Sequence, residues 1–235
     1  MKKNLVYNAM LLLLGLYVHQ NVFSQSVDRF IDHTIKVDTL NVPMDAKQSY
    51  FPKELIKPEV KDGTQKKDSL VIFDFNHRFE LPVNWYSKTL FEMKEPLLFN
   101  RKTIKEIYRF TWLRAFHAPM SFRFEKWKDR YVLYWKVLGN APAYEQRKLV
   151  INSLKVVSKK EWQTFIALVE KSKFWNMELG STLSGNDGAE WIMEGNDTKN
   201  YRVVREWSPS KGGFYDACNY LISLSGMKIR KGEKY

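Results

Sequence analysis

The chain has 235 residues, a formal charge of +12, 44% hydrophobic residues and a single cysteine. This composition excludes a collagen-like chain, a chain disordered throughout and a fold built on disulfides. No motif of catalytic strength is present, so the sequence indicates architecture and location more clearly than activity.

The N-terminus is typical of a secretory signal peptide. Lys2 and Lys3 precede a leucine-rich run from Ala9 to Val18, and Val22-Phe23-Ser24 suits a cleavage site. We expect residues 1–24 to be removed, which leaves an exported, periplasmic or secreted protein with a charge of +10 and no transmembrane span. A retained anchor is the alternative, although this run is shorter than the roughly 20 residues that span a bilayer.

Residues 25–69 differ in composition from the remainder of the chain. They are polar and contain Pro43, Pro52 and Pro58, which predicts an extended or disordered leader. We expect one α+β domain over residues 70–235, with two subdomains, 70–140 and 141–235, as the alternative division.

The first half of this domain contains alternating apolar runs. Leu70–Phe75 and Ile107–Phe116 are predicted strands, and Pro82–Met93 a short helix. Met120–Leu138 is a predicted hairpin around Lys128-Asp129, in which Phe122 lies opposite Trp135 and Arg123 opposite Tyr134.

The second half mixes strands with two longer helices. Lys148–Val157 is a predicted strand, and Ser158 and Glu161 have the spacing of a capping box that begins a helix to about Lys173. A second hairpin, Glu190–Glu194 with Tyr201–Trp207, is expected to place Glu190 opposite Arg205. A last helix spans about Gly213–Ser225. The predicted fold class is α+β, an antiparallel sheet built from hairpins with helices packed on one face.

Catalytic and metal-binding motifs are not recognisable. The histidines lack metal-ligand spacing, and there is no phosphate-binding loop or nucleophile elbow, so no metal, cofactor or catalytic residue is predicted. Cys218 is interpreted as a small buried hydrophobic residue. Glu190 and Glu194 project from one side of a predicted strand. They are either the acid/base pair of a glycan or peptide hydrolase or acids paired with Arg202 and Arg205.

Basic residues gather on the less apolar face of the first sheet. This face combines cationic and aromatic side chains, a combination that binds anionic or sugar-containing ligands; its predicted binding residues are Arg109, Arg123, Arg130, Lys136, Trp127 and Tyr134. The alternative is a solvated surface whose charges prevent aggregation.

The C-terminal part contains a recurrent pattern. Asp187-Gly188-Ala-Glu-Trp191-Ile-Met-Glu194-Gly is followed by Tyr201-Arg-Val-Val-Arg-Glu-Trp207-Ser-Pro209 and a helix with Cys218. This stretch resembles the hairpin-plus-helix ending of exported bacterial proteins of uncharacterised function, many of them from Bacteroidota. The resemblance implies no activity.

The sequence therefore predicts an exported, non-enzymatic binding protein. The expected partner is an anionic glycan, a lipid headgroup or a protein of the cell envelope, and not nucleic acid. The alternative is an envelope hydrolase that uses Glu190 or Glu194.

Overall fold

A computed structural model describes residues 25–56, 85–141, 145–177 and 187–235. The predicted signal peptide and the predicted strand Leu70–Phe75 lie outside these ranges. The described chain forms one seven-stranded antiparallel sheet in the order β1-β7-β6-β2-β3-β4-β5. The strands are β1 Gln25–Ser26, β2 Glu106–Arg114, β3 Met120–Trp127, β4 Arg130–Leu138, β5 Leu149–Val157, β6 Ala189–Asn196 and β7 Asn200–Trp207.

The α+β class is confirmed. Strands from both halves of the predicted domain pair directly, β2 with β6 and β4 with β5, so the described chain contains one continuous sheet. Its helices are α1 Lys53–Ile56, α2 over residues 85–92, α3 Lys159–Lys171 and α4 Gly213–Ser225.

One face of the sheet forms the main core under α3 and α4. Alternation within β2 turns Tyr108, Phe110 and Trp112 to this side, where all three are buried. Helix α3 begins at the predicted capping box, in which the hydroxyl of Ser158 accepts from the backbone N–H of Glu161. The apolar faces of the two helices bury their side chains against this aromatic layer.

The opposite face of the sheet is also partly covered. Residues 25–56 have little regular structure, but Val27, Phe30, Tyr50 and Phe51 are buried in a second apolar cluster. Helix α2 and the segment after it belong to the same cluster. The expectation of a leader outside the folded domain is therefore wrong for residues 25–56, because scattered aromatic residues, rather than a periodic pattern, attach this segment to the sheet.

The two hairpins differ in how well their registers were predicted. In the β3–β4 hairpin Phe122 lies opposite Trp135 and Arg123 opposite Tyr134, as predicted. In the β6–β7 hairpin the predicted register is wrong by two residues, since Glu190 pairs with Trp207. The turn explains this difference. The Asp197 carboxylate accepts hydrogen bonds from the backbone N–H groups of Lys199 and Asn200, and the turn is centred one residue later than predicted, which shifts the cross-strand pairing by two.

Within the described residues, no helix combines the length and apolar character needed to cross a membrane.

Candidate functional site

The second face of the sheet is divided into a closed part and an open part. Over β7, β6 and β2 it is covered by residues 25–56 and α2, and the side chains beneath are buried. Towards β4 and β5 the cover given by these described segments ends, and Leu154 and Val156 are 58% and 71% exposed. The predicted binding residues lie on both sides of this boundary.

Glu95 is the centre of a buried charge cluster in the closed part. It follows α2 and is 1% exposed, and its carboxylate accepts from Arg123 Nε at 2.9 Å and lies 3.1 Å from Lys136 Nζ. Arg109 Nη1 lies 3.9 Å away. Burial alone raises the pKa of Glu95, but Arg123, Lys136 and Arg109 outweigh it, so this pKa lies below its usual range. Glu95 is therefore held as the shared anion of three cations.

Arg109 and Glu194 form the deepest ion pair of this cluster. Both side chains are fully buried, and Arg109 Nε donates to Glu194 Oε2 at 2.7 Å. The Tyr201 hydroxyl donates to the other oxygen at 2.8 Å, and Arg109 Nη1 donates to the carbonyl of Pro96. Because these donors and acceptors satisfy one another, Arg109 is structural and cannot reach a ligand on the surface.

The hydrolase geometry expected of Glu190 and Glu194 is not formed. Glu194 is enclosed by Arg109 and Tyr201, while Glu190 is 4% exposed and accepts from Arg205 Nε and Nη2 at 2.6 and 2.7 Å. The predicted ion pair of Glu190 with Arg205 therefore exists, but it is diagonal rather than directly cross-strand. A general acid or base needs access to substrate, and these contacts argue against that role for both carboxylates.

The remaining predicted residues are placed differently. Lys136 is buried and donates to the backbone carbonyls of Met93 and Lys94, so it anchors the end of α2 to the sheet. The Arg123 guanidinium lies 4.4 Å from the ring centre of Tyr134. The structure thus brings Arg109, Arg123 and Lys136 together, but around a carboxylate of the protein itself.

The open part of the second face, which we call the open face, is formed by three neighbouring strands. It consists of Trp127, Arg130, Val132, Tyr134, Leu154 and Val156. The register places Val132 beside Val156 and Tyr134 beside Leu154, and Trp127 beside Arg130 at the turn. Cross-strand neighbours are about 5 Å apart, so these side chains form one continuous surface.

The open face is apolar at its centre and basic at its rim. Trp127 is 37% exposed, and Tyr134 and Val132 are half-buried. Arg130 is exposed, as is Lys128, whose ammonium lies 5.4 Å from the Trp127 ring centre. Of the large hydrophobic side chains exposed in the described chain, four belong to this face or to the adjoining end of β5: Trp127, Val150, Leu154 and Val156. Such a concentration is typical of an interaction surface.

A cavity lies on the other side of the sheet, between α3 and the ends of β3 and β4. It has a volume of about 220 Å³ and is lined by Trp162, Tyr131 and Lys126, among others. Pockets for small ligands are usually roughly 300–1,000 Å³, so this cavity is small for a substrate. In the described ranges no group of His, Cys, Asp or Glu side chains could hold a metal ion. The open face is therefore the stronger candidate.

Sequence reasoning missed the residues that define the two parts of this face. Glu95 directly precedes the apolar run Pro96-Leu97-Leu98-Phe99, but Glu92 and Lys94 stand just before it, so the sequence does not distinguish Glu95 from an exposed acid at a helix end. Leu154 and Val156 are apolar positions on the second face of β5. A strand apolar on both faces indicates a sheet that something else covers.

Comparison with known proteins adds no family. No protein-family model matches the chain, and no curated protein has a significantly similar sequence.

Proposed function

We propose that this protein is a non-enzymatic binding protein that holds an acidic partner or an acidic component of the cell envelope on its open face. The observation that supports the proposal is the exposure of Trp127, Leu154 and Val156 on a part of the sheet that no other described segment covers. Exposing these side chains to water costs free energy that a partner would recover by covering them.

The charge of the surface supports an acidic ligand. Arg130 and Lys128 stand at the turn beside Trp127, and Lys148 is exposed next to β5. Arginine binds carboxylate, sulfate or phosphate groups through two N–H donors, and the Trp127 ring can stack on a sugar. An apolar centre with a basic rim therefore suits a ligand that has both an apolar part and anionic groups.

The place of action in this proposal is outside the cytoplasm. It rests on the signal-peptide pattern of residues 1–24. Cys218 is buried and has no partner thiol in the sequence, so the fold does not depend on a disulfide. A fold that is stabilised by packing alone is stable in the periplasm or in the medium without a disulfide. The hydrolase alternative has less support, because Glu190 and Glu194 are both occupied by arginines.

Thermal unfolding of residues 25–235 in the presence of defined anions tests the proposal. The probes are a sulfated oligosaccharide, an oligogalacturonate, peptidoglycan fragments and vesicles containing phosphatidylglycerol. A ligand that binds only the folded state stabilises it, by about 2.7 kcal/mol when the ligand concentration is a hundred times Kd. The melting temperature therefore rises with ligand concentration. We expect at least one probe to do so.

A matched pair of variants locates the binding surface. Arg130→Glu with Lys128→Glu reverses two charges of the open face, and Lys36→Glu with Lys47→Glu reverses two charges of the segment 25–56. Both variants change the net charge equally. We expect the first to abolish the ligand-induced rise in melting temperature and the second to retain most of it. Equal losses would show that net charge, and not the open face, causes binding.

A further inference from the structure

The outer edge of β5 is a second unpaired feature beside the open face. β5 is the last strand of the sheet and has nine residues, and in the described chain it pairs only with β4. At the opposite edge β1 pairs with the start of β7, through Gln25 with Tyr201 and Ser26 with Asn200. In the described sheet, β5 is therefore the edge strand that no other strand covers along its whole length.

This edge lacks most of the features by which proteins protect an edge strand. Proline, a bulge and charged side chains are the usual protections. β5 contains no proline and one lysine, Lys155, and its single irregularity lies at its beginning, opposite Val137 and Leu138. From Ile151 to Val157 the register is regular. Every second residue of this stretch therefore directs its backbone N–H and C=O away from the sheet.

The side chains along this edge define what kind of strand would fit. Leu154 and Val156 extend the open face to the edge, so an added strand would cover them with apolar side chains of its own. The charge around the edge is basic, because Lys148, Lys159 and Lys160 are exposed there. Arg147 pairs with Glu92, and Lys155 lies 3.5 Å from Glu161. Side chains on the two faces of a strand alternate. A matching strand alternates apolar and acidic residues.

We propose that β5 binds its partner by strand addition, and that the partner is a protein with an extended segment of alternating apolar and acidic residues. The inference rests on the proposed function and specifies the partner for the same surface. Backbone hydrogen bonds to β5 would supply affinity, and the contacts with Leu154, Val156 and Lys155 would supply specificity.

A synthetic peptide tests strand addition without knowledge of the natural partner. The probe is a nine-residue peptide of alternating valine and glutamate, and its control has the same composition with the valines and glutamates in two blocks. Amide hydrogen exchange of residues 25–235 is followed by NMR. We expect saturable binding of the alternating peptide, with exchange at least tenfold slower for the amides between Ile151 and Val157 that point away from β4, and no such protection from the control.

A matched pair of variants separates the edge from general hydrophobicity. Leu154→Lys with Val156→Lys places charges on the apolar row and should weaken binding of the peptide at least tenfold. Leu40→Lys with Met44→Lys alters two side chains that are each 71% exposed in another part of the chain, and it should bind as the wild type does.

Three outcomes would overturn strand addition. The first is protection, before peptide is added, of the β5 amides that point away from β4, because residues 57–84 or a second copy, which sedimentation would detect, would then occupy the edge. The second is equal binding of the block peptide. The third is peptide binding that leaves the outward-pointing amides of Ile151–Val157 unprotected. If binding of an anionic probe still depends on Arg130 in these cases, the proposed function stands and only strand addition fails. If neither the anionic probe nor the peptide binds in this way, both the proposed function and strand addition are contradicted.

Discussion

Replacing Glu95 by glutamine should destabilise the fold severely, because three buried or half-buried cations share its charge. Arg123 Nε and Lys136 Nζ lie 2.9 and 3.1 Å from its carboxylate oxygens, and Arg109 Nη1 lies 3.9 Å away. At an effective dielectric constant of 20, each such attraction is worth about 4 kcal/mol before desolvation is subtracted. Removing one partner of a buried ion pair typically costs about 3–5 kcal/mol, which is the loss expected for Glu95→Gln.

Urea unfolding of residues 25–235 measures this loss of unfolding free energy directly. Thermal unfolding gives a second measure: for a chain of this size, a loss of about 1 kcal/mol lowers the melting temperature by roughly 2–4 °C. The melting temperature of Glu95→Gln should therefore fall by about 6–20 °C. Glu170→Gln is the control, since Glu170 is exposed on α3 and a surface substitution of this kind changes stability by less than about 0.5 kcal/mol. Equal stabilities of the two variants would refute a charge cluster centred on Glu95.

Three further predictions concern pH and packing. The pKa of Glu95 is lower in the folded protein than its unfolded value of 4.5, so the ionised carboxylate stabilises the fold above that pH. This contribution is lost as the pH falls. In urea titrations, the difference in unfolding free energy between wild type and Glu95→Gln should therefore narrow below about pH 4.5. Cys218→Ala should cost about 1 kcal/mol, and a bulky thiol reagent should label the native protein slowly, since burial raises the pKa of this thiol well above its usual value. Gly195→Ala should cost about 1–3 kcal/mol in the same assay, because its Cβ would lie 2.7 Å from the Phe174 ring; a loss below about 0.5 kcal/mol would contradict that packing.

Local patterns predicted the elements that depend on local physics. Alternation gave the faces of β3 and β4, and the two-residue turn at Lys128-Asp129 fixed their register. The capping box at Ser158 gave the start of α3. In the β6–β7 hairpin the turn was misplaced, because Asp197 forms side-chain hydrogen bonds that spacing alone does not reveal.

The closed part of the second face could not be predicted, because it depends on contacts between distant segments. Glu95 and Arg109 are close in sequence but belong to different layers, and Tyr50 and Tyr201 approach them from 45 or more residues away on either side. A basic stripe read from β2, β3 and β4 alone therefore indicated a binding surface. The buried carboxylates that neutralise most of it come from outside those strands.

Chemical-shift mapping of residues 25–235 by NMR, with whichever anionic probe raises the melting temperature most, tests the binding role of the open face directly. We predict that the largest shifts fall on the Trp127 indole N–H, the Arg130 side chain and the methyl groups of Leu154 and Val156, while Leu40 and Met44 remain unchanged. Shifts centred on residues 25–56, or on the cavity beside Trp162, with none at Leu154 and Val156, would contradict the assignment of the open face as the binding surface.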